Sequence, residues 1–282
     1  MKNLNPPELD PIDLYSSLLK NARSEEKKIR MIELQPYLVR RYDFYKEISS
    51  NLENMTISEI TDTNDISILH SCYNRNRKGH LEGEIVAKII NIQSIQHKNK
   101  CPYCGIDRPR TIDHYLPKSD FPEFSVFPLN LVPCCQYCNG KKGDRWINES
   151  GKRIFLNLYY DKIPEIKYLY TRIHLDQAGL PIIKFELVYT EEIECFDIIK
   201  EHYAALDLLN QYSLNVEDEI SSIHDYLVHG EIPIETHIEA LQVTLDSTIR
   251  RYGINYWKSS FLDSLLRCSE FFEKYRSRVT TM

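Results

Sequence analysis

At 282 residues with a formal net charge of −6 at pH 7, the chain is long enough for one core with helical elaborations or for two domains, and the charge excludes a uniformly basic coat. Its 42% hydrophobic, 11% aromatic and 27% charged residues are ordinary for a soluble globular protein, and no apolar run nears the roughly 18 residues of a membrane span. The N-terminal "MKNLNPPELDPIDLY" places prolines and acids where a secretory signal needs an apolar stretch, so the expected setting is cytoplasmic, with reduced thiols.

In chain order, Leu14 and Leu18 fall on one helical face, Ile29 and Ile32 continue the spacing, and Pro36 marks a break or a first turn. "NRNRKGH", Asn74 to His80, combines basic residues with a glycine and reads as a loop, either solvated or in reach of phosphate. In "HLEGEIVAKIINIQSIQ", Ile85, Ile89 and Ile92 recur at helical spacing beside Val86 and Ile90, which predicts a helix running straight into a cysteine-rich segment. Past that segment Leu169, Thr171, Ile173 and Leu175 alternate, "DQAG" supplies a turn, and Ile183, Phe185, Leu187 and Tyr189 alternate again. This is the pattern of a hairpin. Helices then return: Ile193, Phe196, Ile199, Tyr203 and Leu206 line one stripe, and Ile234, Ile238, Leu241, Leu245, Ile249 and Tyr252 another that stops near Gly253. A last helix carries Trp257, Phe261 and Leu265, and no internal repeat or low-complexity tract is present.

Charge is unevenly spread. From Lys98 to Arg153 ten Lys or Arg stand against six acids, a local net charge of +4, which leaves −10 for the rest. Such an island can meet phosphate while the acidic remainder faces water or another protein. The same stretch holds five of the eight cysteines. Cys101 and Cys104 form one CxxC, Cys135 and Cys138 a second, and together they offer the tetrahedral thiolate shell that structural zinc prefers. Cys134 is an alternative to Cys135, but the repeated two-residue gap favours Cys135. Cys72, Cys195 and Cys268 lie outside any ligand pattern and read as small buried apolar side chains, Cys195 within a helical stripe. A zinc ion saturated by four thiolates has no open position for chemistry, so its work is to clamp residues 105–134.

Within that clamp, "TIDHYLPK" puts Asp113 beside His114, and "PLNLVPCCQYCNGKKG" gives Asn130 before a short strand-like run and Asn139 directly after the last clamp cysteine. The stretch resembles the zinc-clamped members of the HNH nuclease family, whose CxxC pairs flank a beta-beta-alpha-metal unit. The resemblance implies His114 as general base and Asp113 and Asn139 as ligands of a catalytic magnesium or manganese ion. It also implies that Asn130 braces the loop that orients His114, and that the cut leaves a 5′-phosphate and a 3′-hydroxyl. Oxygen ligands of this kind suit hard divalent ions, and a neutral imidazole can deprotonate water. Successive strand residues point to opposite faces, so a distortion at the strand end is expected to bring Asp113 and His114 to one site. Lys141, Lys142 and Arg145 are candidate phosphate contacts, against the alternative of plain solvated charge.

The expected fold is mainly α with a small α+β insert: a central HNH ββα-metal unit with a four-cysteine zinc site, flanked by helical regions and a β-hairpin. The expected division is a helical region at 1–97, the HNH core at 98–153, and a hairpin plus helices at 154–282. The expected activity is metal-dependent hydrolysis of DNA, with RNA open, and no membrane. More loosely, the layout resembles PtuB-type HNH subunits of Septu antiphage and retron-associated systems, which implies an ABC-type ATPase partner of the PtuA kind. The alternatives are a noncatalytic zinc-held adaptor and a stand-alone restriction-type nuclease.

Overall fold

The computed structural model describes residues 3–22, 24–74, 85–229 and 232–279, so "NRNRKGH" after Asn74 and the first residues of "HLEGEIV" lie outside it. Two units are distinguished by their internal packing: residues 3–103 with 107–162, and the chain from Ile163 onward with Cys104–Ile106. Among the described residues the structure is mainly helical with two small two-stranded antiparallel sheets, and no helix is long and apolar enough to cross a membrane.

In the first unit, α1 (Pro11–Lys20) begins where the Asp10 carboxylate accepts the free amides of Ile12 and Asp13 at 2.7 and 3.0 Å. α2 (Glu25–Glu47) runs through Pro36 without ending there, contrary to the sequence expectation. A mid-helix proline costs about 3 kcal/mol. Met31, Leu34, Leu38, Tyr42 and Tyr45 are all buried along the same helix, and at about 1.5–3 kcal/mol each their burial outweighs that cost. The inward stripe is also not the expected one, since Ile29 and Ile32 are 57% and 53% exposed. α3 (Thr63–Asn74) follows. The helix expected to lead into the cysteines is broken into α4 (Ala87–Asn91) and α5 (Ile95–Asn99), because the Ser94 hydroxyl caps a new start.

The HNH-like stretch has the expected order: β1 (Thr111–His114), a long loop, β2 (Leu131–Cys134) and α6 (Gln136–Lys142). β1 and β2 are antiparallel, with Asp113 opposite Val132 and His114 opposite Leu131. Every strand of a two-stranded ribbon is an edge, which is how Pro133 is tolerated in β2. α6 ends at Gly143, whose φ of +53° is strained for side-chain-bearing residues. The loop packs back on α2: Tyr42 stacks on Phe127 at 4.5 Å, and Tyr45 meets Phe124 and Phe127 edge-on at 5.1 and 5.0 Å. α2 therefore forms the floor of the loop.

The second unit is built on the expected hairpin, β3 (Leu169–Leu175) and β4 (Pro181–Leu187), paired from Leu169 with Leu187 to Leu175 with Pro181. Its helices are α7 (Phe196–Ala205), α8 (Leu208–His229), α9 (Ile234–Tyr252), α10 (Trp257–Arg267) and α11 (Ser269–Val279). Asn255, at the turn into α10, accepts the amides of Tyr168 and Leu169 at 2.8 and 3.1 Å, and Thr171 bonds Ser260 at 2.8 Å. The stripe from Ile193 to Leu206 is buried throughout, and α9 ends at Gly253 as its sequence predicts.

Candidate active site and zinc centre

The sulfurs of Cys101, Cys104, Cys135 and Cys138 lie within 4.8 Å of one another, and all four residues are buried. A tetrahedron with bonds of about 2.3 Å has edges near 3.8 Å, so the set fits zinc. Backbone amides complete the knuckles: Cys135 donates to the Cys101 sulfur at 3.3 Å, Ile106 to Cys104 at 3.4 Å, and Cys138 to Cys135 at 3.4 Å. Such donors stabilise thiolates. Cys134 is not in the set. It pairs with the Thr111 hydroxyl at 3.4 Å, and burial pushes its thiol well above the usual range. Cys72 is buried as expected, while Cys195 and Cys268 are only half-buried at helix junctions.

His114 is half-buried at the end of β1. Its Nε2 lies 3.0 Å from the Ser125 carbonyl, and its ring meets the edge of Tyr73 at 4.5 Å. A carbonyl only accepts, so Nε2 carries the proton and Nδ1 keeps its lone pair. Burial, aided by the charges of Lys118, Lys142 and His70, lowers the imidazole pKa to about 3, which leaves the ring neutral at pH 7.

Asn130 is fully buried. Its Oδ1 accepts the Leu116 amide at 2.8 Å, and its Nδ2 donates to the carbonyls of Leu116 at 3.0 Å and Phe124 at 3.3 Å. One side chain thus ties both ends of the loop from Leu116 to Phe124. Asn130→Ala should cost about 3 kcal/mol in urea unfolding, because the Leu116 amide and carbonyl lose their partner in a dry interior. Wild-type stability for that variant would dissociate the loop from this amide.

Asp113 takes a different course from its neighbour. It is a regular member of β1, without the distortion anticipated from the sequence, and the residue is 2% exposed. Oδ2 accepts from the Tyr103 hydroxyl at 2.9 Å and Oδ1 lies 3.1 Å from the Lys142 ammonium. Burial raises its pKa, with Lys142 and Tyr103 pulling the other way. Lys142, grouped in the sequence reading with phosphate contacts, is instead 0% exposed. Its ammonium reaches both the Asp113 carboxylate, at 3.1 Å, and the backbone carbonyl of His114, at 2.8 Å. Asn139 donates to the Ile112 carbonyl, on the strand residue before Asp113, at 3.3 Å through its Nδ2. Lys141 and Arg145 remain exposed.

Residues 101–145 match the family model of HNH endonucleases. The matched segment carries the four-cysteine set and the ββα order just described. Protein ea31 of Escherichia phage lambda is 32% identical over 127 residues, 44% of this chain and 43% of that protein. Septu protein PtuB of Bacillus thuringiensis is 27% identical over 152 residues, 47% of this chain and 55% of that protein. The chain thus spans about half the length of these curated relatives. No solved structure matches.

Some of the HNH site was not visible in the sequence. Lys142 had a signal, since it lies four residues after the buried Cys138 on one face of α6. Tyr103 sits inside the first CxxC. Tyr73, His70 and Ser125 come from elements whose approach no local spacing encodes.

Proposed function

We propose that the protein is a metal-dependent HNH endonuclease that hydrolyses DNA phosphodiester bonds, with His114 as general base. The observation that carries this reading is the Ser125 carbonyl on Nε2, which leaves a neutral imidazole whose Nδ1 keeps its lone pair, at the end of β1 just before the loop that Asn130 braces. That nitrogen can take the proton of an attacking water. Asp113 and Asn139 supply the hard oxygen atoms that would hold magnesium or manganese. When bound, the ion neutralises charge developing on the phosphate. Lys141 and Arg145, exposed on and just after α6, are the phosphate contacts in this reading.

Similarity to a Septu PtuB protein supports a further step, a place as the nuclease subunit of an antiphage complex with a PtuA-like ATPase in the cytoplasm. The acidic remainder of the chain, net −10, suits protein docking better than DNA reading. A second reading draws on one observation: Asp113 is already engaged by Lys142 and Tyr103, as expected of a noncatalytic zinc-held scaffold.

The test is plasmid DNA incubated with the purified protein and magnesium or manganese, alone and with an ATPase encoded beside it. Cleavage giving 5′-phosphate ends is expected, and Asp113→Ala should abolish it while zinc content stays at one per chain. No cleavage under either condition, with no divalent binding by calorimetry, would establish the scaffold reading.

A further inference from the structure

We infer that Arg41, acting through Glu123, is a positioning residue for the His114 imidazole; the inference rests on His114 being the base. Arg41 lies on α2 and Glu123 in the 3₁₀ turn Pro122–Phe124, 82 residues apart in sequence. Their side chains are 8% and 0% exposed, and Arg41 Nε donates to Glu123 Oε1 at 2.8 Å. The two remaining guanidinium nitrogens donate to Thr56, at its hydroxyl (2.6 Å) and its carbonyl (2.7 Å). Ser58 donates to Glu123 Oε2 at 2.7 Å. Both carboxylate oxygens and all three guanidinium nitrogens are therefore committed, so the turn has one orientation.

The turn passes that orientation on within two residues. Ser125 donates both its amide, at 3.2 Å, and its hydroxyl, at 2.7 Å, to the Pro122 carbonyl. Its own carbonyl is then the acceptor that faces His114 Nε2 at 3.0 Å. From Arg41 to the ring the path is one ion pair, one turn and one hydrogen bond. His70 pins the same loop from α3, its Nε2 lying 2.7 Å from the Lys118 carbonyl.

Stability alone is a poor reason to bury these charges. Desolvating both ions consumes most of their mutual attraction, and apolar replacements of similar volume are often as stable. What an apolar pair cannot reproduce is direction, because a carboxylate held at both oxygens, by Arg41 and by Ser58, fixes the turn in a way that dispersion contacts do not.

The experiment compares Glu123→Gln, Arg41→Lys and Arg41→Met with wild type in the full chain, reading the nitrogen-15 signals of the His114 ring and turnover at saturating plasmid DNA with manganese. His114→Ala assigns the ring signals. Wild type should show protonation at Nε2 alone. Glu123→Gln and Arg41→Met should show mixed tautomers and at least about tenfold lower turnover with DNA affinity unchanged, a fraction of the roughly 100- to 10,000-fold that a general base contributes. Arg41→Lys, which keeps the charge, should recover part of both. If Glu123→Gln fails to fold, Ser58→Ala removes one hydrogen bond from the carboxylate without touching charge, and a shift of the ring signals in the same direction is expected. Unaltered ring signals in the folded variants would overturn the inference, whatever happens to turnover. If wild type cuts nothing, alone or with the ATPase, while the variants show the tautomer shift, the nuclease reading is refuted and the positioning stands.

Discussion

Cys135→Ser should unfold the HNH segment, whereas Cys134→Ser should leave it standing. Structural zinc in small domains contributes apparent binding free energy on the order of 10–16 kcal/mol at neutral pH, comparable with or above the ~5–15 kcal/mol net stability of a whole domain. A serine hydroxyl stays protonated and is a poor substitute ligand, so removal of one of four thiolates should cost more than about 5 kcal/mol. Cys135 is doubly placed to matter, because its sulfur also accepts the Cys138 amide at the start of α6. Cys134, by contrast, has the Thr111 hydroxyl as its sulfur's hydrogen-bond partner, and a serine there keeps that partner at a cost of about 1–2 kcal/mol. Urea unfolding with elemental analysis of zinc decides between them. Loss of zinc from the Cys134 variant and retention in the Cys135 variant would reassign the fourth ligand.

His114→Ala should lower cleavage about 100- to 10,000-fold with the fold retained, since the ring is half-buried and holds one backbone hydrogen bond and one aromatic edge. Retained cutting would remove it as the base. The pH dependence follows from its environment. A base works only when deprotonated, so activity falls as pH drops through its pKa in the free enzyme. Burial lowers that pKa to about 3, and the acid limb of kcat/KM that this ring contributes should therefore lie well below the ordinary imidazole value of about 6.5. Any divalent cation bound nearby pushes in the same direction. A profile measured from pH 5 to pH 8 should show no acid limb centred near 6.5. One that vanishes in a His114→Gln background would place the ring in a wetter setting than the structure gives it.

Much of the zinc centre and the secondary structure was legible because each depends on residues close in sequence. The repeated two-residue gap favours Cys135 over Cys134, and the structure gathers the Cys135 sulfur with those of Cys101, Cys104 and Cys138. The alternation from Leu169 to Leu187 and the stripe ending at Gly253 are likewise short-range patterns. Local rules failed where packing overrode them. Pro36 does not break α2, because the buried apolar side chains Met31, Leu34, Leu38, Tyr42 and Tyr45 outweigh the lost hydrogen bond. Ile29 and Ile32 have helical spacing yet face solvent, since spacing marks a stripe without saying which stripe meets the core.

What the sequence alone determined, then, is a ββα segment with a four-cysteine set fit for a metal, and an imidazole, a carboxylate and two amides in a set order. It did not determine how those groups are engaged. Tertiary structure decided that Asp113 meets Lys142 and Tyr103, that the Ser125 carbonyl selects the tautomer of His114, and that Arg41 reaches Glu123 across 82 residues. The reason is one of range: spacing and periodicity encode the path of a few consecutive residues, whereas partners of a buried charge are set by which distant elements pack against it. In a dry interior that choice carries the larger energy, because an unpaired charge there costs far more than any local preference.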